Sequence, residues 1–596
     1  MRLTSARGQA GQLRTCIQMK AYVRVGRSSL RQPNIDLLPI ATRFLWHDAA
    51  LSASRSVFTR FLFMAIDSAT FTPPPNPPVI VERKLQGNAG LSVRASSHGW
   101  DYILTGNTLL PADRLQTILA QASDPQQAVA DVSAAYRAEG YFLVAVTAQL
   151  PAPATPAPSA SGVPTSRADH RVRITVIEGR ITQTEVPASV QPYFSGLSDK
   201  PDLTVDQVTR RAVMANNFAA RNGEKLQSGF GAAEQPGGSA FTVNASPLPD
   251  YKRVSGTLLL GNYGSRYASS YLTGGNVALR PGGGVELTAN YIAGLPNWSR
   301  DSRGSQYHAQ GLGGSVVTPW GTYGLNAQKT RYQLGRISYP LNTAGDTDNV
   351  SLTGSQLLHA SERSQLSLTE AFTHVHNRST VFGGAYTVTD QRYDYASLGL
   401  SYTRGYSIGS LGGALIASYT YNRGTSARSG TFLLSEAPTA PTPLFHYSNL
   451  NLTLQQQLPG GYIGQASLNG QWAQDTLPQQ QQWVLGGLGN LSAYNSGVLV
   501  GDSGYAMRLS LQAPAHQWGA FTATPNVFLE HGAARYKFVS GGWQRITDIG
   551  LGLNLSTRFG TTFSALYAAP VKIENVPAQT TKTSRATIFF VLQQSF

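Results

Sequence analysis

The sequence predicts small α+β domains followed by a membrane all-β barrel of 16 antiparallel strands. Three observations carry this reading. Past Tyr251 the chain breaks into alternating segments of about ten residues, the length a tilted strand needs to cross a bilayer. Charged residues make up only 13% of the chain while glycines number 60, against roughly 25% charged in soluble domains. No run of 18 or more apolar residues occurs, so any membrane span has to be built from strands.

Composition narrows the classes further. The single cysteine, Cys16, rules out an internal disulfide and a CxxC metal cluster. Leu13-Arg14-Thr15 before it lack the small apolar approach of a lipid anchor. Of the net charge of +15, residues 1–70 supply +7, from 10 Lys/Arg less 3 Asp/Glu. The remainder is mildly basic, with no compact basic motif interleaved with aromatics, which argues against a nucleic-acid partner. An exported barrel needs a signal peptide. The apolar run Phe61-Leu62-Phe63-Met64-Ala65-Ile66 is short and Asp67 ends it, so the export signal is expected to be unusual or the true start to lie elsewhere.

Residues 73–96 begin Pro73-Pro74-Pro75-Asn76-Pro77-Pro78, a stiff spacer and a natural boundary after a leader over 1–72. From Trp100 order sets in. Tyr102-Ile103-Leu104 reads as a strand ending at Gly106-Asn107, and Pro111–Gln121 as a helix with Leu115, Ile118 and Leu119 at helical spacing. Asp124-Pro125 starts a second helix, because Asp caps and Pro fits the first turn, and Gly140 ends it. Phe142–Leu150 reads as a strand, 151–166 as a Pro/Ala/Ser-rich loop, and Arg171–Val176 as a half-buried strand. The order β-α-α-β-β describes a sheet with helices on one face.

Two words in this stretch, Tyr136-Arg137-Ala138-Glu139-Gly140-Tyr141 and Val176-Ile177-Glu178-Gly179-Arg180-Ile181, resemble the "YRxxGY" and "VxEGRI" of the POTRA, or polypeptide-transport-associated, domain. Tyr136, Arg137, Gly140, Tyr141, Glu178 and Gly179 are read as structural rather than catalytic. The domain is placed at 97–183. A second, more divergent POTRA is expected over 184–250, with a helix at Val205–Phe218 and a strand at Phe241–Ala245.

The barrel is expected over 251–596. Its strands fall at Ser255–Tyr263, Tyr271–Leu279, Gly284–Ala293, Gln306–Val317, Tyr323–Tyr332, Asn349–His359, Gln365–His376 and Tyr393–Thr403. The second half supplies Gly413–Arg423, His446–Leu458, Tyr462–Ala473, Ser503–Ala513, Thr524–Ala534, Thr547–Ser556, Thr562–Ala569 and Ser584–Phe596. The last ends in an aromatic residue and resembles the terminal signal of outer-membrane barrels. A lumen this wide would leak unless part of the chain fills it.

Between the eleventh and twelfth strands runs a long Gly-rich loop, Trp483 to Tyr494 and on to Tyr505, and long loops in a regular scaffold are usually functional. Its Gly486, Gly487, Tyr494, Gly501, Asp502, Gly504 and Tyr505 are similar to the "GGxxSVRGY" and "GDxGY" of two-partner secretion transporters, the hemolysin secretion/activation type. Asn262-Tyr263-Gly264-Ser265 resembles the family's "DNYGS". The resemblance covers 97–596. The family arginine falls at Ser492 and the family glycine at Ala493. In the family that arginine meets an acidic residue of an "FxDxG" word, whose place Glu530 holds in Phe528-Leu529-Glu530-His531-Gly532. A buried carboxylate without its cation is costly and tends to take up a proton or find another cation. Either Glu530 contacts water, or another basic residue substitutes, for which Arg508 is a candidate, or the loop is held differently.

The resemblance implies a monomeric bacterial outer-membrane protein with POTRA domains in the periplasm. It implies a secreted exoprotein as partner, large and hemagglutinin- or hemolysin-like and encoded adjacently, and lipid around the barrel. An unfolded partner would add as a strand to a POTRA sheet edge and thread through the pore as the loop moves aside. A lumenal N-terminal helix is also implied, for which Leu37–Leu45 and Val57–Ile66 are the apolar pieces. No cofactor is expected, since no GxxxxGK[ST] phosphate loop occurs. An enzyme is not expected either, since no GxSxG context occurs and His308, His374, His376 and His531 lack ligand spacing for a metal. The rival readings are an assembly factor of the same superfamily, which carries more POTRA units, and a passive porin, which lacks the front end.

Overall fold

The structure, a computed structural model, describes residues 92–150, 170–235, 237–430, 440–537, 541–586 and 588–596. The leader, the spacer up to residue 91, the apolar pieces proposed as a plug and the whole Pro/Ala/Ser-rich insert lie outside these residues, whereas residues 93–96 of the expected spacer belong to the first strand.

The first sheet opens with a hairpin, β1 (Val93–Ser97) and β2 (Trp100–Thr105). Its turn takes His98 and Gly99 through positive φ, 49° and 82°, as a two-residue hairpin turn with the twist of its strands requires. Helices α1 (Ala112–Gln121) and α2 (Pro125–Ala138) follow, then β3 (Val144–Gln149) and β4 (Arg171–Glu178). The strand order is β1-β2-β4-β3, with β2 and β4 parallel. Asp124 caps α2 by accepting from Gln127 N at 2.8 Å. Leu115, Leu119, Ala128, Val132 and Tyr136 of the helices are buried against Tyr102, Leu104, Val172, Ile174 and Val176 of the sheet. The alternation in β4 therefore does put every second residue in the core.

The two sequence words of this domain form one hydrogen-bonded unit. Tyr136 Oη donates to Glu178 Oε1 at 2.9 Å, and Glu178 also accepts from Thr108 N at 2.8 Å and Leu109 N at 2.9 Å. At Gly179 a Cβ would stand 2.4 Å from Leu143 O, so the position admits only glycine without backbone movement. The chain changes sheets here. β5 (Arg180–Glu185) already belongs to the second sheet, so the division expected after residue 183 falls inside a strand. Next come α3 (Val205–Arg221), β6 (Glu224–Ala232) and β7 (Gly238–Pro247), in strand order β5-β7-β6. Val208, Ala212, Ala215 and Ala219 of α3 pack on Ile181, Leu226, Phe241 and Val243.

The barrel follows without a linker helix. Its strands are β8 (Val254–Gly261), β9 (Leu272–Gly282), β10 (Val285–Gly294), β11 (Gln306–Thr318), β12 (Gly321–Gln333), β13 (Ala344–Ala360), β14 (Ser364–Val381), β15 (Tyr386–Ile408) and β16 (Leu411–Gly430). They continue with β17 (His446–Gln457) and β18 (Ile463–Ala473). A short ribbon, β19 (Trp483–Leu485) with β20 (Leu499–Gly501), leaves the wall at this point. The wall resumes with β21 (Ser503–Gln512), the three-residue extension β22 (His516–Trp518), β23 (Phe521–Arg535), β24 (Gln544–Thr557) and β25 (Thr561–Glu574). After the one-turn-plus helix α4 (Ala578–Ser584), β26 (Ile588–Ser595) pairs antiparallel with β8 and closes the ring. With the ribbon and the extension set aside, 16 wall strands remain, all antiparallel. Each expected strand is present, although the last begins at Ile588 rather than Ser584.

Burial is inverted relative to a soluble protein. Leu325, Leu352, Leu398 and Leu551 point outward and are 55–60% exposed, whereas Thr330, Thr347 and Asn377 point inward and are buried. Apolar outside and polar inside is the pattern of a barrel solvated by lipid.

The second α/β unit docks on the short-turn end of this barrel. Asp206, in the first turn of α3, accepts from Ala360 N at 2.9 Å and pairs with His359 Nδ1 at 2.6 Å. At the other end of α3, Arg221 donates to Gly284 O at 2.9 Å and Ser315 O at 3.0 Å. Tyr193 Oη donates to Val317 O at 2.8 Å. Three turns of the barrel thus receive one helix and the segment before it.

Candidate functional site: a ribbon clasped inside the barrel

The loop between β18 and β21 turns into the barrel because its glycines allow it. Gly486 and Gly487 sit at φ 106° and 95°, and a Cβ on Gly486 would lie 2.3 Å from Asn495 O. Gly487 N donates to Tyr494 O at 2.8 Å and Gly497 N to Leu485 O at 2.8 Å, which closes the loop on itself. Its apolar side, Leu485, Leu491, Ala493, Tyr494, Val498 and Leu499, is buried against wall residues Ala506, Phe528, Ala534 and Ile546. This side is therefore a small hydrophobic core built in the lumen.

The tip is clasped by two carboxylates of the wall. Ser492 N donates to Glu530 Oε2 at 2.6 Å, and Ala493 N donates to Asp548 Oδ2 at 2.9 Å. Glu530 and Asp548 are cross-strand partners on β23 and β24 and are 1% and 0% exposed. Arg508 of β21, the register partner of Glu530 on its other side, donates to Glu530 Oε1. Its guanidinium also lies over the Phe528 ring, 4.0 Å from the centroid. Glu530 therefore receives its cation from the wall strand β21 and not from position 492. The loop itself contributes only main-chain N–H groups, at the two positions that depart from the family pattern.

The second half of the motif braces the base of the ribbon. Asp502 accepts from Leu477 N and Lys537 N, both at 2.9 Å, and is buried. On Gly501 a Cβ would stand 2.4 Å from Arg535 O, and on Gly504 it would enter the Trp483 ring. Tyr505 is not part of the lumenal site. It lies on the outer face, where its hydroxyl meets His531 Nε2 at 3.1 Å and its ring approaches Trp543. On the far side the tip is tied to the segment before β26: Asn495 N donates to Ser584 O at 2.7 Å, and Ala586 N to Ala493 O at 3.0 Å.

Sequence reasoning missed Asp548 entirely. The available signal was slight, the one carboxylate of β24, at an inward position of the strand. Of the histidines read as lacking ligand spacing, His376 comes within 4.8 Å of Asp346 and Asp348, because register across β13 and β14 joins residues far apart in sequence.

Comparisons with known proteins bear on the family and the fold. A sequence model of the family described as haemolysin secretion/activation protein ShlB/FhaC/HecB matches residues 243–555, more than half of the chain. The heme/hemopexin transporter protein HuxB of Haemophilus influenzae is 22% identical over 345 residues, 54% of this chain and 58% of HuxB. HuxB of Haemophilus influenzae strain 86-028NP is 24% identical over 307 residues, 48% of this chain and 50% of that one. The chain thus spans about half the length of the curated relatives it matches. Two solved structures share the fold. CdiB from Escherichia coli has a TM-score of 0.69 at 16% identity, covering 92% of this chain and 98% of its own. CdiB from Acinetobacter baumannii has 0.63 at 14%, covering 96% and 100%.

Proposed function

The chain belongs to the haemolysin secretion/activation family, whose members are outer-membrane barrel transporters, and from that premise we propose that it exports an unfolded partner protein through its barrel. The two front-end units are POTRA domains and act as the receptor. Their sheets end in the edge strands β1, β3, β5 and β6 among the described residues. An edge strand offers unpaired N–H and C=O groups, and an extended partner adds to it by main-chain hydrogen bonding. Because such pairing reads backbone, it suits a chain that has not folded.

The observation that carries the proposal is the clasped ribbon. The ribbon rests in the lumen on a small hydrophobic core shared with the wall. Its tip is held by Glu530 and Asp548 through two main-chain N–H groups and by main-chain bonds to Ser584 and Ala586, a set of noncovalent contacts that an outward movement of the loop releases together. The passage then opens without nucleotide, and folding of the exported chain outside biases the direction. The partner is a large secreted protein of hemagglutinin or hemolysin type encoded nearby.

The test is secretion of that neighbour, co-expressed with the intact chain or with one lacking residues 97–250. Partner in the medium with the intact chain alone supports an exporter with a front-end receptor. Partner retained in both cases, with other barrels assembling poorly when this chain is removed, replaces the proposal by an assembly factor.

A further inference from the structure

The outward face of strands β12–β15 changes character along rows of register partners. One row reads Leu325, Leu352, Phe372 and Ala396, all apolar. The next row toward the end remote from α3 reads Ala327, Val350, His374 and Asp394. The two rows beyond it read Lys329, Asp348, His376, Arg392 and then Arg331, Asp346, Arg378, Asp390. Every position in those two rows is ionisable. The side chains facing the lumen between them, Thr330, Thr347 and Asn377, are buried, so the charged rows look outward, as Leu325 and Leu352 do. The apolar band therefore gives way to a charged plaque where the lipid tails of the outer leaflet end and headgroups begin.

The carboxylates of the plaque are mostly engaged within it. Asp348 pairs with Lys329 at 2.8 Å and Asp390 with His376 at 3.2 Å, and in the adjoining row Asp394 pairs with His374 at 2.6 Å. Asp346, the register partner of both Arg331 and Arg378, lies within 4.8 Å of Asp348 and His376. Arg331, Arg378 and Arg392 are exposed and have no ion-pair partner among the described residues. Arg378 and Arg392 stand diagonally across β14 and β15, about 7 Å apart at their Cβ atoms by strand geometry, and Arg331 lies two strands from Arg378. A guanidinium is weakly hydrated and presents a fork of donors matched to phosphate. At this depth the available anion is the phosphate of a lipid headgroup.

We propose that Arg331, Arg378 and Arg392 form a binding site for a phosphorylated lipid of the outer leaflet, seated against the outer wall of β12–β15 with its acyl chains on Leu325, Leu352 and Phe372. The engaged carboxylates hold the neighbouring cations apart and keep the three guanidinium groups from collapsing onto the wall.

The test uses the whole protein purified in mild detergent, with native mass spectrometry to count bound lipid. The probes are diphosphoryl lipid A, the same lipid with its phosphates removed, and phosphatidylglycerol. Wild type is expected to bind diphosphoryl lipid A at least about tenfold more tightly than the dephosphorylated form, since each basic contact near a lipid surface contributes on the order of a fivefold factor. The R331Q/R378Q/R392Q variant is expected to lose that preference while R331K/R378K/R392K keeps part of it, with the heat-modifiable gel mobility of a folded barrel in both. Equal affinity of wild type for the phosphorylated and dephosphorylated lipids overturns the proposal, and that arm needs no variant to fold. Equal lipid A binding by wild type and a folded glutamine variant overturns it as well. Preference for phosphatidylglycerol over diphosphoryl lipid A overturns the assignment to the outer leaflet.

Discussion

The carboxamide of Asn262 continues the barrel where β8 itself stops, by pairing with the main chain of Phe590. Asn262 Oδ1 accepts from Phe590 N at 2.7 Å, its Nδ2 donates to Ile588 O at 2.8 Å, and its own N–H donates to Phe590 O at 3.2 Å. At the opposite end of the seam Phe596 and Gly256 exchange main-chain hydrogen bonds. The seam between first and last strands spans only Thr257–Gly261 and Val591–Ser595, so a side chain that imitates a peptide unit lengthens the shortest junction in the wall.

Asn262→Ala therefore removes two hydrogen bonds from the closure of the ring. Each is worth about 1 kcal/mol, and the urea midpoint of the folded, heat-modifiable band should fall accordingly. Asn262→Asp should fall further, since a carboxylate faces the Ile588 carbonyl with no donor. A midpoint for either variant equal to wild type would show that the seam does not depend on this side chain.

The clasp makes an unusual prediction about arginine. Arg508→Ala leaves Glu530 buried without its cation, a loss of about 3–5 kcal/mol for a broken buried pair, and the loop should leave the lumen. Conductance in planar bilayers should rise. Ser492→Arg, which restores the family residue to a fully buried position beside Arg508, should also raise conductance. Combining the two should bring it back toward wild type, because one arginine again serves Glu530. Equal conductance in all three variants would refute the clasp.

At Asp548 the acceptor matters more than the charge. Asp548→Asn keeps an oxygen for Ala493 N and should leave conductance near wild type. Asp548→Leu orphans that N–H, at about 1–3 kcal/mol, and should leak. The reverse ranking would mean that charge repulsion, rather than the N–H contact, positions the tip.

Docking of the second POTRA unit can be read by hydrogen exchange. Asp206→Ala removes the acceptor of Ala360 N and the partner of His359. Exchange should quicken at Ala360 and in the first turn of α3, with the strands far from the periplasmic turns unchanged. Unchanged exchange at Ala360 would refute the contact.

In the first POTRA unit, burial and then the nearby Glu178 carboxylate push the Tyr136 phenol well above its usual value. A tyrosine whose folded value is raised stabilises the fold while it stays protonated. That stability is fully present below about pH 10, the unfolded value, and is lost as pH rises beyond it. Wild-type exchange in α2 should be flat from pH 7 to 9 after correction for intrinsic rates and should accelerate above pH 10. Tyr136→Phe should remove the acceleration while raising the baseline, and an acceleration that persists would assign it elsewhere.

Strand positions in the barrel were legible because lipid imposes a strict period of two on the outward residues. The limits of β13 to β16 were not. Above the apolar band, Asp346, Asp348 and Arg378 replace leucines on the outer face while the inner face stays polar, so the contrast that marks a strand disappears even though the pairing continues. β1 escaped notice for a similar reason: Val93 and Ala95 are its only apolar residues. β6 carries Gly229 and Gly231 where alternation should be strongest. In the candidate site the loop was legible from its glycines and Glu530 from its word. Asp548 was not, because its meaning arises only from register beside Glu530 and from the fold of a loop some fifty residues away.

A clasp that grips peptide N–H groups cannot tell one side chain from another. The tip of the loop is thereby relieved of any duty to carry charge, and what remains to be inherited at 492 and 493 is smallness, since both side chains are enclosed. In this chain the cation stands on the wall and not on the loop, so the most visible letter of the signature is missing while the latch that holds the loop is present.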